Sequence, residues 1–208
     1  MTKEPVLLTT AYLPPISWFS LLLNHTVVLE KQETYTRQSY RNRCHIYSER
    51  GILPLSVPVN RPRGHRTPVT EVQIFNGEKW YLKQWRAIQS AYEASPYFLY
   101  YQDELKPFYS GNHHNLWEFN KQLTETVCEL LGITPRWEVT TVYEKHPEKA
   151  IDLRSVFSPK KPLNGNFPSY TQVFSDRHGF LPDLSIIDLL FNLGPESKSY
   201  LSRVRLPY

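Results

Sequence analysis

Apolar positions are densest near the end of the chain. Ile186, Ile187, Leu189, Leu190, Phe191 and Leu193 leave almost no polar face, and a helix apolar all round is a buried helix. Ser185 stands at its N-cap with Asp188 three residues on, a carboxylate form of the capping box, and Gly194-Pro195 supplies the stop. At the other end, Pro5 to Leu13 reads as a buried strand. Pro14-Pro15 closes it, and a helix follows from Ile16 to Asn24 with Ile16, Phe19, Leu22 and Leu23 on its inner stripe. Thr26 to Glu30 is a second β-branched run, so strand-helix-strand can set two parallel strands side by side.

Alternation then replaces helical spacing. On a strand, Tyr40, Asn42, Cys44 and Ile46 face one side, and Arg41, Arg43, His45 and Tyr47 the other. Glu49-Arg50-Gly51 turns the chain. Leu53, Leu55, Val57 and Val59 alternate with Pro54, Ser56 and Pro58, which suits an edge strand. The pattern predicts a hairpin over 40–59, a basic loop over 61–66 and a strand over 69–75.

The middle is helical. Tyr81, Trp85, Ile88 and Tyr92 recur at helix spacing, as do Leu116, Phe119, Leu123, Val127 and Leu130, with Gly132 as a stop. The aromatic-rich 96–109 segment reads as helix, 137–143 as strand, and the proline-rich 152–170 stretch as loop. The expectation is an α/β fold, a mixed β-sheet flanked by helices, in a single domain over 1–208.

Composition narrows the class without naming it. The chain has 208 residues, 40% apolar and 14% aromatic, which is enough for a sizeable core. A formal net charge of +4 admits an anionic small molecule but gives no basic stripe for nucleic acid. Two cysteines make no disulfide framework. Met1 to Pro5 lacks a charged leader followed by an apolar run, and the Ile16–Leu29 window is broken by Asn24-His25. These features predict a cytoplasmic protein with no membrane insertion, and leave the oligomeric state open.

No Walker loop, Gly-x-Gly-x-x-Gly, Gly-x-Ser-x-Gly elbow or paired-cysteine zinc pattern occurs, and neither a cofactor nor a metal is expected. His113-His114 lacks a third ligand. Cys44-His45 points to opposite strand faces, and a free cysteine is more often a small buried hydrophobe. Arg41 and Arg43, on one strand face, would present guanidinium forks suited to a diphosphate, or else pair with Glu30 and Glu33. Trp85 can stack on a base or sugar, or fill the core. Asp152 and Arg154 alternate onto one side and suit an ion pair. Gln172, between Tyr170 and Phe174, is an amide among aromatics, fit for a pocket or for a satisfied core site.

Tyr12-Leu13-Pro14, the Tyr40-to-Ile46 stretch with Leu55-Ser56-Val57-Pro58-Val59, Trp85-Arg86-Ala87-Ile88, and the Leu184–Pro195 helix together resemble the WbqC-like family. The resemblance implies work in surface-polysaccharide gene clusters of O-antigen type, with glycine or another acyl group passed to a nucleotide-linked amino sugar. Where many relatives carry His-Gln-Pro before the tyrosine, this chain has Thr9-Thr10-Ala11. Such a transferase needs a base, oxyanion donors and a diphosphate anchor. Asp183 or Asp188 is the expected base, with capping as the other reading of Asp188. Asn42 is the expected oxyanion donor, and Arg41 and Arg43 the anchor. Tyr12, Trp85, Gln172, Asp152 and Arg154 are the remaining substrate-binding candidates. The expected partners are a nucleotide-linked sugar and an activated acyl donor. A non-catalytic assembly protein for glycan enzymes, and a nucleotidyltransferase, are the alternatives.

Overall fold

The computed structural model describes residues 4–208, so Met1 to Lys3 lie outside the described residues, and with them part of the Met1–Pro5 stretch read above for a leader. Four parallel strands form the centre: β1 (Val6–Thr9), β2 (Val27–Glu30), β7 (Trp137–Val139) and β8 (Ile151–Asp152), ordered β7-β2-β1-β8. The short crossover between β1 and β2 is α1 (Ile16–Asn24), and Val6 to Thr9 register with Val27 to Glu30. Val6, Leu8, Val27 and Leu29 are buried, as hydrophobic runs in parallel strands must be.

The hairpin is present as β3 (Arg43–Ser48) and β4 (Gly51–Ser56), antiparallel, with Arg43 opposite Ser56. Its start corrects the predicted parity. Tyr40 to Asn42 form a turn before the ladder, so Arg41 and Arg43 share no strand face. The Arg41 carbonyl is instead held by the Asn120 amide at 2.7 Å. Val59-Asn60 is a separate strand, β5, pairing β6 (Gln73–Ile74). The predicted 69–75 strand opens as a 3-10 turn over Val69–Glu71, because the Val69 N–H turns aside to the Glu33 carbonyl.

Helices α2 (Trp80–Tyr92), α3 (Phe98–Leu105) and α4 (Leu116–Leu130) follow the predicted spacing. Asn115 caps α4 by accepting the Glu118 N–H, and Gly132 ends it at φ 63°. A short α5 (Ser175–His178) precedes the buried α6 (Ile186–Leu193). Gly194 stops α6 at φ 52°, where a Cβ would lie 2.5 Å from the Tyr97 ring. Pro195 does not end the helical region. It opens a 3-10 turn that leads into α7 (Ser197–Arg203).

The predicted capping box on α6 is absent. The Ser185 hydroxyl donates to the Leu13 carbonyl rather than accepting an α6 amide. The N-termini of α1 and α6 are instead joined: Ile16 N–H meets the Leu184 carbonyl, and Ile186 N–H the Pro14 carbonyl. Leu13 (φ 41°) and Asp183 (φ 53°) both take left-handed backbone at this junction. The elements share one hydrophobic core.

Candidate functional site

The parallel strands end at the same edge of the sheet, β1 and β2 at Thr9 and Glu30, with β7 stopping one residue short at Val139 and β8 two short at Asp152. From β1 the chain builds β2 and then β7 on one side and places β8 on the other. Ligands of open α/β sheets sit beyond the carboxyl ends at such a change of direction. A cleft of about 460 Å³ opens there. Five cations line it, Arg37, Arg41, Lys145, Arg154 and Lys160, against two carboxylates, Glu33 and Asp152.

Two of those cations are fixed by buried acids. Arg154 Nε and Nη2 bind both oxygens of Asp152, at 2.9 and 2.7 Å, and Nη1 reaches Glu30 at 2.9 Å. Its guanidinium lies 4.9 Å from the centre of the Tyr143 ring. Glu30 is wholly buried and is also satisfied by the Thr140 hydroxyl and the Gln32 N–H. Hydrogen bonds from Arg154 hold the Asp152 carboxyl below its usual range. Arg41 grips Glu33 through Nε and Nη2. Burial pushes Glu33 up, against the pull of that guanidinium. The expected Asp152–Arg154 pair is thus present, widened by Glu30. Arg37, Lys145 and Lys160 are exposed and face the cleft without a salt bridge among the described residues.

A second chamber of about 230 Å³ shares Phe157, Ser158 and Lys160 with the first. Tyr40, His45 and Asp183 line it together with Ser158, Lys160 and Lys161, and the remainder is apolar, including Ile52, Leu163 and Phe167. Asp183 reaches it from the α1–α6 junction. Its carboxylate accepts the Ser17 N–H and the Ser17 hydroxyl, both at 2.8 Å. Burial pushes its carboxyl up to about 7, opposed by those two bonds. Burial and the Arg43 charge hold the His45 imidazole below its ordinary value.

The other sequence candidates lie elsewhere. Asp188 is wholly buried and lines neither chamber. It accepts from Tyr170 Oη (2.6 Å), Gln172 Nε2 (2.8 Å) and Tyr92 Oη (3.0 Å), and burial pushes it up to about 6. Gln172 is therefore a satisfied core amide, its Oε1 taken by the Leu181 N–H. Tyr12 is buried, hydrogen-bonded to Gln84 and Tyr109, and Trp85 packs on Phe98 and Tyr109. Asn42 donates to the Val57 carbonyl, Arg43 Nε to the Ser56 hydroxyl, and neither lines a chamber. The His113 ring stacks flat on Phe108. Burial pushes the Cys44 thiol up.

Sequence reasoning passed over Lys145, Lys160 and Tyr40 as site residues, weighed His45 only as a base for Cys44, and saw Glu30 and Glu33 only as arginine partners. One signal for Glu30 was available: it closes a predicted parallel strand, where acidic site residues of α/β folds are found.

The sequence model of the WbqC-like protein family matches residues 10–168. That range holds the basic cleft, while the Leu184–Pro195 segment lies beyond it. The uncharacterised protein Rv1507c of Mycobacterium tuberculosis is 27% identical over 235 aligned residues, covering 98% of this chain and 99% of its own. No solved structure matches the chain. Among the described residues, no helix is long and apolar enough to cross a membrane.

Proposed function

Because the chain belongs to the WbqC-like protein family, we propose that it is an enzyme of surface-polysaccharide precursor assembly that acylates a nucleotide-linked amino sugar. The observation that carries this reading is the five-cation cleft beyond the carboxyl ends of the parallel sheet. Arg41 and Arg154 are rigid because buried carboxylates hold them, so they keep the cleft positive without moving to meet a ligand. Arg37, Lys145 and Lys160 carry the charge left over for a diphosphate.

The reacting end of the substrate lies in the second chamber. The sugar amine attacks the carbonyl carbon of an activated acyl donor, a carbon–nitrogen bond forms, and the bond to the donor's thiol or alcohol breaks. Asp183 accepts the proton the amine loses and returns it to the departing group. Of the two carboxylates expected as base, Asp183 is the one at a chamber wall, and a carboxyl raised to about 7 is matched to proton transfer near neutrality. Lys160, on the wall common to both chambers, offsets the developing oxyanion. The glycine or other acyl group arrives already activated.

Calorimetric titration with a panel of nucleoside diphosphates tests the anchor. The wild type is expected to bind at least one, with affinity that falls as salt rises, and Arg37→Ala with Lys145→Ala to weaken it by about tenfold or more. Binding of none, or binding indifferent to the double substitution, overturns the reading. A scaffold role has one observation of its own: Leu99 and Tyr100, adjacent on α3, are 72% and 77% exposed.

A further inference from the structure

Beside its two lysines, Lys160 and Lys161, the second chamber carries polar aromatic rings that the basic cleft presents only in Tyr143. Tyr40 and His45 meet edge to face, ring centroids 5.7 Å apart. Among the described residues, neither the Tyr40 hydroxyl nor the His45 ring nitrogens hold a hydrogen bond, and the Tyr40 hydroxyl is not sealed from solvent. Asp183 lies beside them with both oxygens oriented by Ser17 and lone pairs to spare. Phe157 lines the same chamber and, with Ser158 and Lys160, belongs to the wall common to both chambers. Unpaired polar tips on aromatic rings, next to a fixed carboxylate, form a surface for a ligand that is apolar on its ring faces and hydroxylated at its edge. A pyranose has that character. The volume of about 230 Å³ lies below the roughly 300 Å³ where pockets begin to take larger ligands, so it accepts one ring with a short substituent.

We infer that this chamber is a sugar-ring subsite. The C–H face of one pyranose packs on Tyr40, His45 and Phe157, and its hydroxyl or amino groups bond to Tyr40, His45 and Asp183. The inference rests on the nucleotide-sugar reading above for its biological substrate, although the chamber is testable by itself. His45 is anchored for this task through its backbone, since its carbonyl accepts the Ser185 N–H at 2.8 Å. The α1–α6 junction therefore sets Asp183 and His45 in one frame.

The test uses the full chain labelled at histidine nitrogen, with the His45 ring signals assigned by His45→Gln. Titrants are a panel of methyl glycosides of amino and N-acetylamino hexoses and, separately, nucleoside diphosphates. At least one glycoside is expected to move the His45 ring signals, while nucleoside diphosphates leave them in place. Ile52→Trp, which crowds the chamber wall from an exposed position, is expected to weaken glycoside binding by about tenfold or more and to spare diphosphate binding. Glycosides that leave the His45 signals unmoved, or that bind Ile52→Trp as tightly as wild type, overturn the subsite. A chain that binds glycosides but no diphosphate keeps the subsite and loses the nucleotide-sugar reading, and the opposite pair of results does the reverse.

Discussion

Asp183 closes the first turn of α1 from 166 residues away, accepting the Ser17 N–H and the Ser17 hydroxyl at 2.8 Å each. No acidic residue of α1 itself occupies that turn, and Pro15 at its N-cap has no side-chain oxygen to offer. Asp183 supplies both the cap and the negative charge that the helix N-terminus favours. Asp183→Ala is expected to destabilise the fold by about 1–2 kcal/mol. Ser17→Ala, which keeps the N–H bond, should lose less. Chemical denaturation of both variants checks the order, and equal losses would count against the cap.

Asp188 predicts a pH dependence with a definite sign. Its folded carboxyl is raised to about 6 by burial, against an ordinary 3.8. The folded state therefore holds a proton that the unfolded chain has released. Its contribution is full below pH 4 and is lost as pH rises through 6. The decline is expected to be roughly 2–3 kcal/mol, about 1.4 for each unit of displacement. Tyr92, Tyr170 and Gln172 donate to the carboxylate and soften the loss. Asp188→Asn should flatten the slope between pH 4 and 6, measured by urea unfolding across that range. An unchanged slope would assign the dependence to other groups.

Glu30 and Arg154 form a pair in which both side chains are under a tenth exposed. Removing one partner strands the other. Arg154→Met leaves Glu30 buried and unpaired by any guanidinium, and should cost about 3–5 kcal/mol. The double variant Glu30→Gln with Arg154→Met should recover part of that loss. Arg37→Ala, at the exposed rim of the same cleft, should change stability by less than about 0.5 kcal/mol. Thermal denaturation of the set separates the rigid frame of the cleft from its ligand-facing charge.

Cys44 and Cys128 are buried, and burial pushes both thiols up, Cys128 to about 12. Neither carries thiolate near neutrality, so neither is a ready nucleophile. Iodoacetamide is expected to label both only after unfolding. Rapid labelling of Cys44 in the native protein would overturn this and point to a covalent role for it.

Helix α1 was legible to its ends because Pro15 and Asn24-His25 mark them in the sequence. The β1–α1–β2 unit followed from two β-branched runs and the helix between them. Two-residue strands such as β8 carry no period, and α7 hid behind Pro195, which opens a turn as readily as it ends one. The site was less legible. The pairing of Arg41 with Glu33 was one of two readings of the arginines, and the turn at Tyr40 decided against a shared face with Arg43. The meeting of Glu30 with Arg154, 124 residues apart, exists only once β8 lies beside β1. Asp188 looked like a cap because spacing fixes a residue's place on a helix. It does not fix which way the side chain turns when three donors wait in the core.

The junction between residues 13–17 and 183–186 also sets an order of events during synthesis. Helix α1 leaves the ribosome early, yet the carboxylate that closes its first turn follows 166 residues later, next to the carbonyl that receives the Ile16 N–H. Until then the Ile16 and Ser17 amides have only water, whereas Trp18 and Phe19 already reach the Pro15 carbonyl. Emergence of residues 183–186 is therefore the step that completes this junction, and a chain stalled before that point would leave the Ile16 and Ser17 amides uncapped.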